Sequence, residues 1–127
     1  MDTDNIYYEK LAEIIFPDVT MTPQDMEEKY PPRNLPADAK VTRFAPSPTV
    51  FVHFGGLFPT RVSERLAHQS GGVFLLRIED TDAKRTVEGA VDTVINVLRY
   101  FNIEFDEGAG YPDDDERNAY GPYYQTQ

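Results

Sequence analysis

Two short stretches of this chain combine residue types that can do chemistry. The first is Arg43-Phe44-Ala45-Pro46-Ser47-Pro48-Thr49, followed by His53-Phe54-Gly55-Gly56. A glycine pair opening a helix suits an anion, because the first amides of a helix lack internal acceptors and the helix dipole favours negative charge there. A histidine beside it can donate a hydrogen bond to a phosphate oxygen as charge builds up in a transition state. The competing reading is a tight turn with a polar loop histidine, since short glycine motifs often arise by chance. The second stretch is Arg77-Ile78-Glu79-Asp80-Thr81-Asp82. Its three carboxylates can coordinate a metal, orient an amine, or simply bond the backbone of the following turn. Arg43 and Glu79 gain meaning together. A guanidinium fork matches a carboxylate, a carboxylate accepts from an ammonium, and the pair would suit an amino-acid ligand.

The elements that must position these residues follow from periodicity and punctuation. Apolar residues at Ile6, Leu11, Ile14 and Ile15 predict an amphipathic helix over residues 6–16. Thr22 as N-cap with Pro23 behind it predicts a second helix, ending near Tyr30 ahead of Pro31 and Pro32. Residues 31–40 read as an extended connector. Residues 41–45 have strand character and run into Pro46-Ser47-Pro48-Thr49, expected to leave the ladder because proline has no N–H to donate. A helix is predicted over residues 57–70 with Val62, Leu66 and Ala67 on one side, stopped by Gly71-Gly72. The apolar run over residues 73–78 reads as a strand buried on both faces. Val87, Ala90, Val91, Val94, Ile95 and Leu98 mark a core-facing stripe on a helix over residues 86–101.

Strand, helix, strand, helix implies parallel strands joined by a right-handed crossover, with ligands at the C-terminal strand ends. The expected fold class is therefore α/β: the first half of a Rossmann-like nucleotide-binding fold (β-α-β-α) with an N-terminal helical extension. The boundaries are residues 1–40 for the extension and linker and 41–127 for a partial catalytic domain. Residues 108–127 show no periodicity, and the chain reads as truncated before its second half.

Bulk properties exclude other classes. The 127 residues suit one modest domain. A net charge of −10, with the run Asp113-Asp114-Asp115-Glu116, disfavours a simple electrostatic nucleic-acid binder. With no cysteine there is neither a disulfide framework nor a thiolate metal site. No long apolar run and no leader-like start is seen, so a soluble cytoplasmic protein without a membrane partner is expected.

The segments Val41-Thr42-Arg43-Phe44-Ala45-Pro46-Ser47-Pro48-Thr49, His53-Phe54-Gly55-Gly56, Leu76-Arg77-Ile78-Glu79-Asp80-Thr81-Asp82, Phe105-Asp106-Glu107-Gly108 and Tyr120-Gly121-Pro122-Tyr123 resemble the start of bacterial glutamyl-tRNA synthetases, in order and near the usual spacing. The stretch through Lys40 resembles an extension found in some bacterial members. The resemblance implies a class I aminoacyl-tRNA ligase that joins glutamate to ATP, forming an adenylate and pyrophosphate, and passes the glutamyl group to tRNA. It assigns His53, Gly55 and Gly56 to catalysis, the same three with Pro48 to ATP, and Arg43, Ala45, Ser47 and Glu79 to glutamate. Mg²⁺ accompanies ATP, with no metal held by the protein.

This sequence departs from the family pattern at four places. Val50 stands where glycine is typical, and Tyr124 where arginine is common. Pro59 falls where small or hydroxyl residues are usual, and Phe54 replaces a smaller aliphatic. The family's Lys-rich ATP loop and its tRNA-binding domains are not found in this chain. The expectation is weak or absent tRNA charging by the chain alone, and self-association through an exposed half-sheet. Alternatives are the glutaminyl branch, a tRNA-modifying glutamyl paralogue, and a non-catalytic remnant or engineered folding fragment.

Overall fold

The computed structural model describes residues 3–49, 52–82, 84–111 and 113–127. The chain forms two compact units, Met1–Arg33 and Asn34–Gln127.

The first unit holds helices α1 (Thr3–Ile15) and α2 (Pro23–Lys29). The α2 start follows from its cap chemistry. The Asp25 amide donates to the Thr22 hydroxyl at 3.2 Å, and the Thr22 amide donates to the Asp25 carboxylate at 2.7 Å. Two orphan donors are thereby satisfied reciprocally. The Thr22 hydroxyl also holds the Asp25 carboxyl below its ordinary pKa.

The second unit runs β1 (Val41–Phe44), α3 (Phe54–Gln69), β2 (Val73–Leu76), α4 (Ala90–Tyr100) and β3 (Glu107–Gly108). The strands lie in the order β1-β2-β3, all parallel, with Val41 opposite Val73, Arg43 opposite Leu75, and Leu75 in turn opposite Glu107. This is an α/β unit of Rossmann-like plan, two successive strand–helix–strand crossovers. Phe74, Leu76 and Ile78 form the centre of the core, with Leu57 and Ala67 of α3, Val94, Ile95 and Leu98 of α4, and Ile103 and Phe105. Burying side chains of this size stabilises the unit by about 1.5–3 kcal/mol each.

Several expectations need correction. A third strand exists where two were expected. At two residues, Glu107-Gly108 is too short to leave a periodic signature. The predicted strand over residues 73–78 is not buried on both faces. Phe74, Leu76 and Ile78 are buried, while Val73 and Leu75 are half-buried. Successive β-strand side chains point to opposite faces, and α3 and α4 share a single core. Helix α3 keeps only part of the expected face inward: Ala67 is buried as expected, with Leu57, Thr60 and Glu64, whereas Val62 and Leu66 are exposed. The polar members of that stripe are satisfied locally. The Thr60 hydroxyl donates to the Gly56 carbonyl at 2.6 Å, and Glu64 pairs with Arg61, Arg65 and His68. Gly71 does end α3 in the left-handed conformation, at φ +67°. Helix α4 starts at Ala90, not Thr86, because Gly89 before it sits at φ +75°; Val87 is consequently exposed and outside the helix.

β1 ends at Phe44, so residues 46–48 leave the ladder as expected. Proline cannot donate, yet its carbonyl still accepts. The amides of Arg77, Glu79 and Val87 donate to the carbonyls of Phe44, Pro46 and Pro48, each at 3.0 Å. The aperiodic tail returns to the sheet. The Ile78 amide donates to the Tyr123 carbonyl at 2.8 Å, and Gln125 donates back to Ile78 at 3.0 Å. Tyr123 is buried, and its hydroxyl donates to Glu107 at 2.7 Å. Among the described residues, no helix is long and apolar enough to cross a membrane.

Candidate functional site

Parallel strands deliver their chemistry at their C-terminal ends. Here that end carries Arg43 and the loop of residues 45–49 from β1, the α3 N-terminus that follows it, and residues 77–82 beyond β2. Register alone brings the two chemical stretches side by side. Because the Glu79 amide is bonded to the Pro46 carbonyl, Glu79 projects near Arg43, and its Oε1 lies 3.5 Å from an Arg43 guanidinium nitrogen. Both side chains remain accessible, at 53% and 37%. An accessible pair of opposite charges at a strand end can exchange its internal partner for a zwitterion.

The loop leading away from β1 is ordered by its own contacts. Ala45 is half-buried, Pro48 is buried, and the Thr49 hydroxyl donates to the exposed Ser47 hydroxyl at 3.2 Å. A cavity of about 270 Å³ adjoins this loop, lined by Thr49, Val52, Val87, Glu88, Thr93 and Val94. Val50, the departure from glycine noted above, lies outside the described residues.

His53 is the N-cap of α3, extended at φ −115° and ψ 166°, and its side chain makes no capping hydrogen bond. The glycine pair is not a turn ahead of the helix but part of its first turn. The amides of Gly56 and Leu57 donate to the His53 carbonyl at 2.9 and 3.1 Å. Gly55 leaves room for the histidine ring: a Cβ there would stand 2.9 Å from His53 Cε1. Gly56 is different, since a Cβ there would meet nothing within 4 Å. Pro59 lies inside the helix, in its second turn. Its ring removes the hydrogen bond that the Gly55 carbonyl would otherwise accept.

The carboxylates of the second stretch do not converge. Asp80 accepts from the Thr126 amide at 3.1 Å and the Thr126 hydroxyl at 2.6 Å. The Thr126 hydroxyl holds the Asp80 carboxyl below its ordinary pKa. Asp82 pairs with Arg85 at 2.6 Å. Among the described residues, no group of three or more His, Cys, Asp or Glu side chains is placed to hold a metal. Of the carboxylates, Glu79 alone turns toward Arg43. No direct hydrogen bond or ion pair joins the Arg43–Glu79 pair to His53 among the described residues.

Sequence reasoning missed the contacts made by the last residues. Thr126 reaches Asp80 across 46 positions, and Tyr123 reaches Glu107 across 16. No local signal marks such pairs. Tyr124 is partly buried beside Asp92 and Asp80; burial, then those two charges, push its phenol above the ordinary value. A larger cavity, about 720 Å³, lies elsewhere, against Arg99, Ile103, Asp106, Tyr111 and Arg117, and contains none of the predicted site residues.

The second unit thus presents an open helix N-terminus and an accessible Arg–Glu pair at the C-terminal ends of its parallel strands. The family model for the catalytic domain of class I tRNA synthetases (E and Q) matches residues 40–127, and the chain belongs to that family. Among characterised relatives, the glutamate–tRNA ligases of Clostridium perfringens (strain 13 / Type A) and Acetivibrio thermocellus are 55% and 57% identical over 120 residues, 94% of this chain. The chain spans 22% of the length of these relatives. The crystal structure of a glutamate–tRNA ligase from Elizabethkingia meningosepticum CCUG26117, in complex with its amino acid, matches 68% of this chain and 16% of that one. Its identity is 36% and its TM-score 0.60. The glutamate–tRNA synthetase of Elizabethkingia anophelis matches 70% of this chain and 17% of its own, at 35% identity and a TM-score of 0.62.

Proposed function

We propose that this site binds glutamate and ATP for adenylate formation, the first half of charging tRNA with glutamate. The observation that carries the reading is the accessible Arg43–Glu79 pair at the strand ends, 3.5 Å apart. Glutamate would separate the two: Arg43 takes a substrate carboxylate in bidentate fashion, and Glu79 accepts from the ammonium. Ala45 and Ser47 line the approach. ATP lies along Pro48 and the start of α3, where the unpaired amides and helix dipole suit phosphate. Gly56 supports this placement, since nothing in the fold within 4 Å requires it to lack a side chain, and a nucleotide approaching there would.

In the reaction, a glutamate carboxylate oxygen attacks the α-phosphorus of ATP. A P–O bond forms, the bond to the bridging oxygen breaks, and the electron pair leaves on pyrophosphate. No side chain is needed as nucleophile, so position and charge do the work. His53 Nδ1 or Nε2 donates to a phosphate oxygen as charge grows. Mg²⁺ accompanying the nucleotide would supply neutralisation of phosphate charge; Asp80 and Asp82 are engaged by Thr126 and Arg85. The 127-residue chain alone is expected to bind without useful turnover.

The test is an NMR titration of the labelled chain with glutamate, glutamine and ATP. Glutamate should shift amides in residues 43–49 and 77–80 and leave those of α2 unmoved. A stronger response to glutamine would favour the glutaminyl branch, and no response to any ligand would contradict the reading.

A further inference from the structure

We propose that Asp80 and Thr126 are positioning residues that hold Glu79 in place for the substrate ammonium. The inference rests on the reading of Glu79 given above and follows from how the segment around it is fastened. On one side, the amides of Arg77 and Glu79 are bonded to the carbonyls of Phe44, the last residue of β1, and Pro46 in the loop after it. On the other, Ile78 forms a parallel bridge with Tyr124, donating to Tyr123 and accepting from Gln125. Alternate residues therefore bond to opposite neighbours, as in the middle strand of a sheet.

Regular pairing stops there, and the next side chain takes over. Asp80 grips Thr126 through two separate oxygens, Oδ1 from the amide at 3.1 Å and Oδ2 from the hydroxyl at 2.6 Å. A carboxylate accepting two such bonds is a stronger anchor than a neutral contact. It is placed one residue beyond Glu79, where the backbone would otherwise be free to swing away from Arg43. Tyr123 secures the far side of the anchor through its buried bond to Glu107, so residues 123–126 form a brace on the core and not a loose end.

A brace of this kind affects the ammonium contact specifically. The experiment is calorimetric binding of two non-hydrolysable adenylate analogues to the 127-residue chain, one carrying glutamate and the other carrying glutarate, which lacks the α-amino group. The wild-type chain should prefer the amino-bearing analogue. Thr126→Val deletes the hydroxyl donor at nearly constant shape and should reduce that preference about three- to tenfold, leaving affinity for the glutarate analogue unchanged. Thr126→Ser, which keeps both donors, should retain the preference. Equal loss for both analogues in Thr126→Val would show general loosening and overturn the inference, as would no loss for either. A wild-type chain that binds both analogues equally would remove the role of Glu79 itself, and the inference with it.

Discussion

Arg43 of β1 and Glu79, in the segment just beyond the neighbouring strand β2, meet 3.5 Å apart while more than a third of each side chain stays in contact with solvent. An ion pair this exposed is worth about 0–1 kcal/mol to folding. It is poorly accounted for as a fastening and well suited to exchange its partners for those of a ligand.

That contrast gives the first prediction. Arg43→Ala and Glu79→Gln should each change unfolding stability by less than about 1 kcal/mol, and each should weaken glutamate binding about tenfold or more, since a ligand charge is left without its partner. Denaturant unfolding and calorimetry on the same samples check both halves. A large stability loss with unchanged binding would make the pair structural.

The two glycines of α3 should separate in the same way. A Cβ at Gly56 meets nothing within 4 Å, so Gly56→Ala should stabilise the helix by about 0.5–1 kcal/mol and yet weaken ATP binding by filling the approach. Gly55→Ala places a Cβ 2.9 Å from His53 Cε1. The ring must turn aside, and nucleotide binding should fall with it. Thermal melts with and without ATP distinguish the two substitutions.

Pro59 in the second turn of α3 offers a test of local cost. Replacing it by alanine restores a donor to the Gly55 carbonyl and should stabilise the unit, by up to about 3 kcal/mol. Denaturant unfolding of Pro59→Ala measures this, and unchanged or lower stability would contradict it.

Tyr124 supplies a pH dependence. Burial, with Asp92 and Asp80 adding to it, raises its phenol above the ordinary phenol value of 10.0. A raised folded-state pKa means the native state holds its proton longer than the unfolded chain does. The associated stability is complete below pH 10.0 and is lost as pH rises through the higher native value. Phenolate absorbance of the wild type minus Tyr124→Phe should show a late-titrating group, and Asp92→Asn should move it back toward ordinary pH. A difference curve at the ordinary phenol value would refute the burial argument.

What the sequence disclosed depended on the range of the signal. Caps and stops are local, so the Thr22 N-cap and the Gly71 terminus were legible residue by residue, though not the reciprocal bond from Asp25. The pairing of Arg43 with Glu79 was legible too, because parallel strands of known direction bring their C-terminal ends together. The inward face of α3 was legible only at Ala67. Apolar Val62 and Leu66 look like core, and only the local pairing of Glu64 with Arg61, Arg65 and His68 lets a polar stripe be buried in their place. Nor were β3 and the brace at Thr126 legible, since a two-residue strand carries no period and a contact across 46 positions carries no spacing. The end of β1 ahead of the proline-rich turn was legible, because proline cannot donate to a ladder, whereas the bonds that the Pro46 and Pro48 carbonyls accept from Glu79 and Val87 were not.

The most direct test of the central claim is calorimetric titration of a non-hydrolysable glutamyl-adenylate analogue into the folded chain, with Arg43→Ala and His53→Ala as controls. Saturable binding by the wild type that is lost in both variants is the predicted result. A folded wild-type chain that fails to bind, or binding that survives both substitutions, would contradict the assignment of this site to glutamate and ATP.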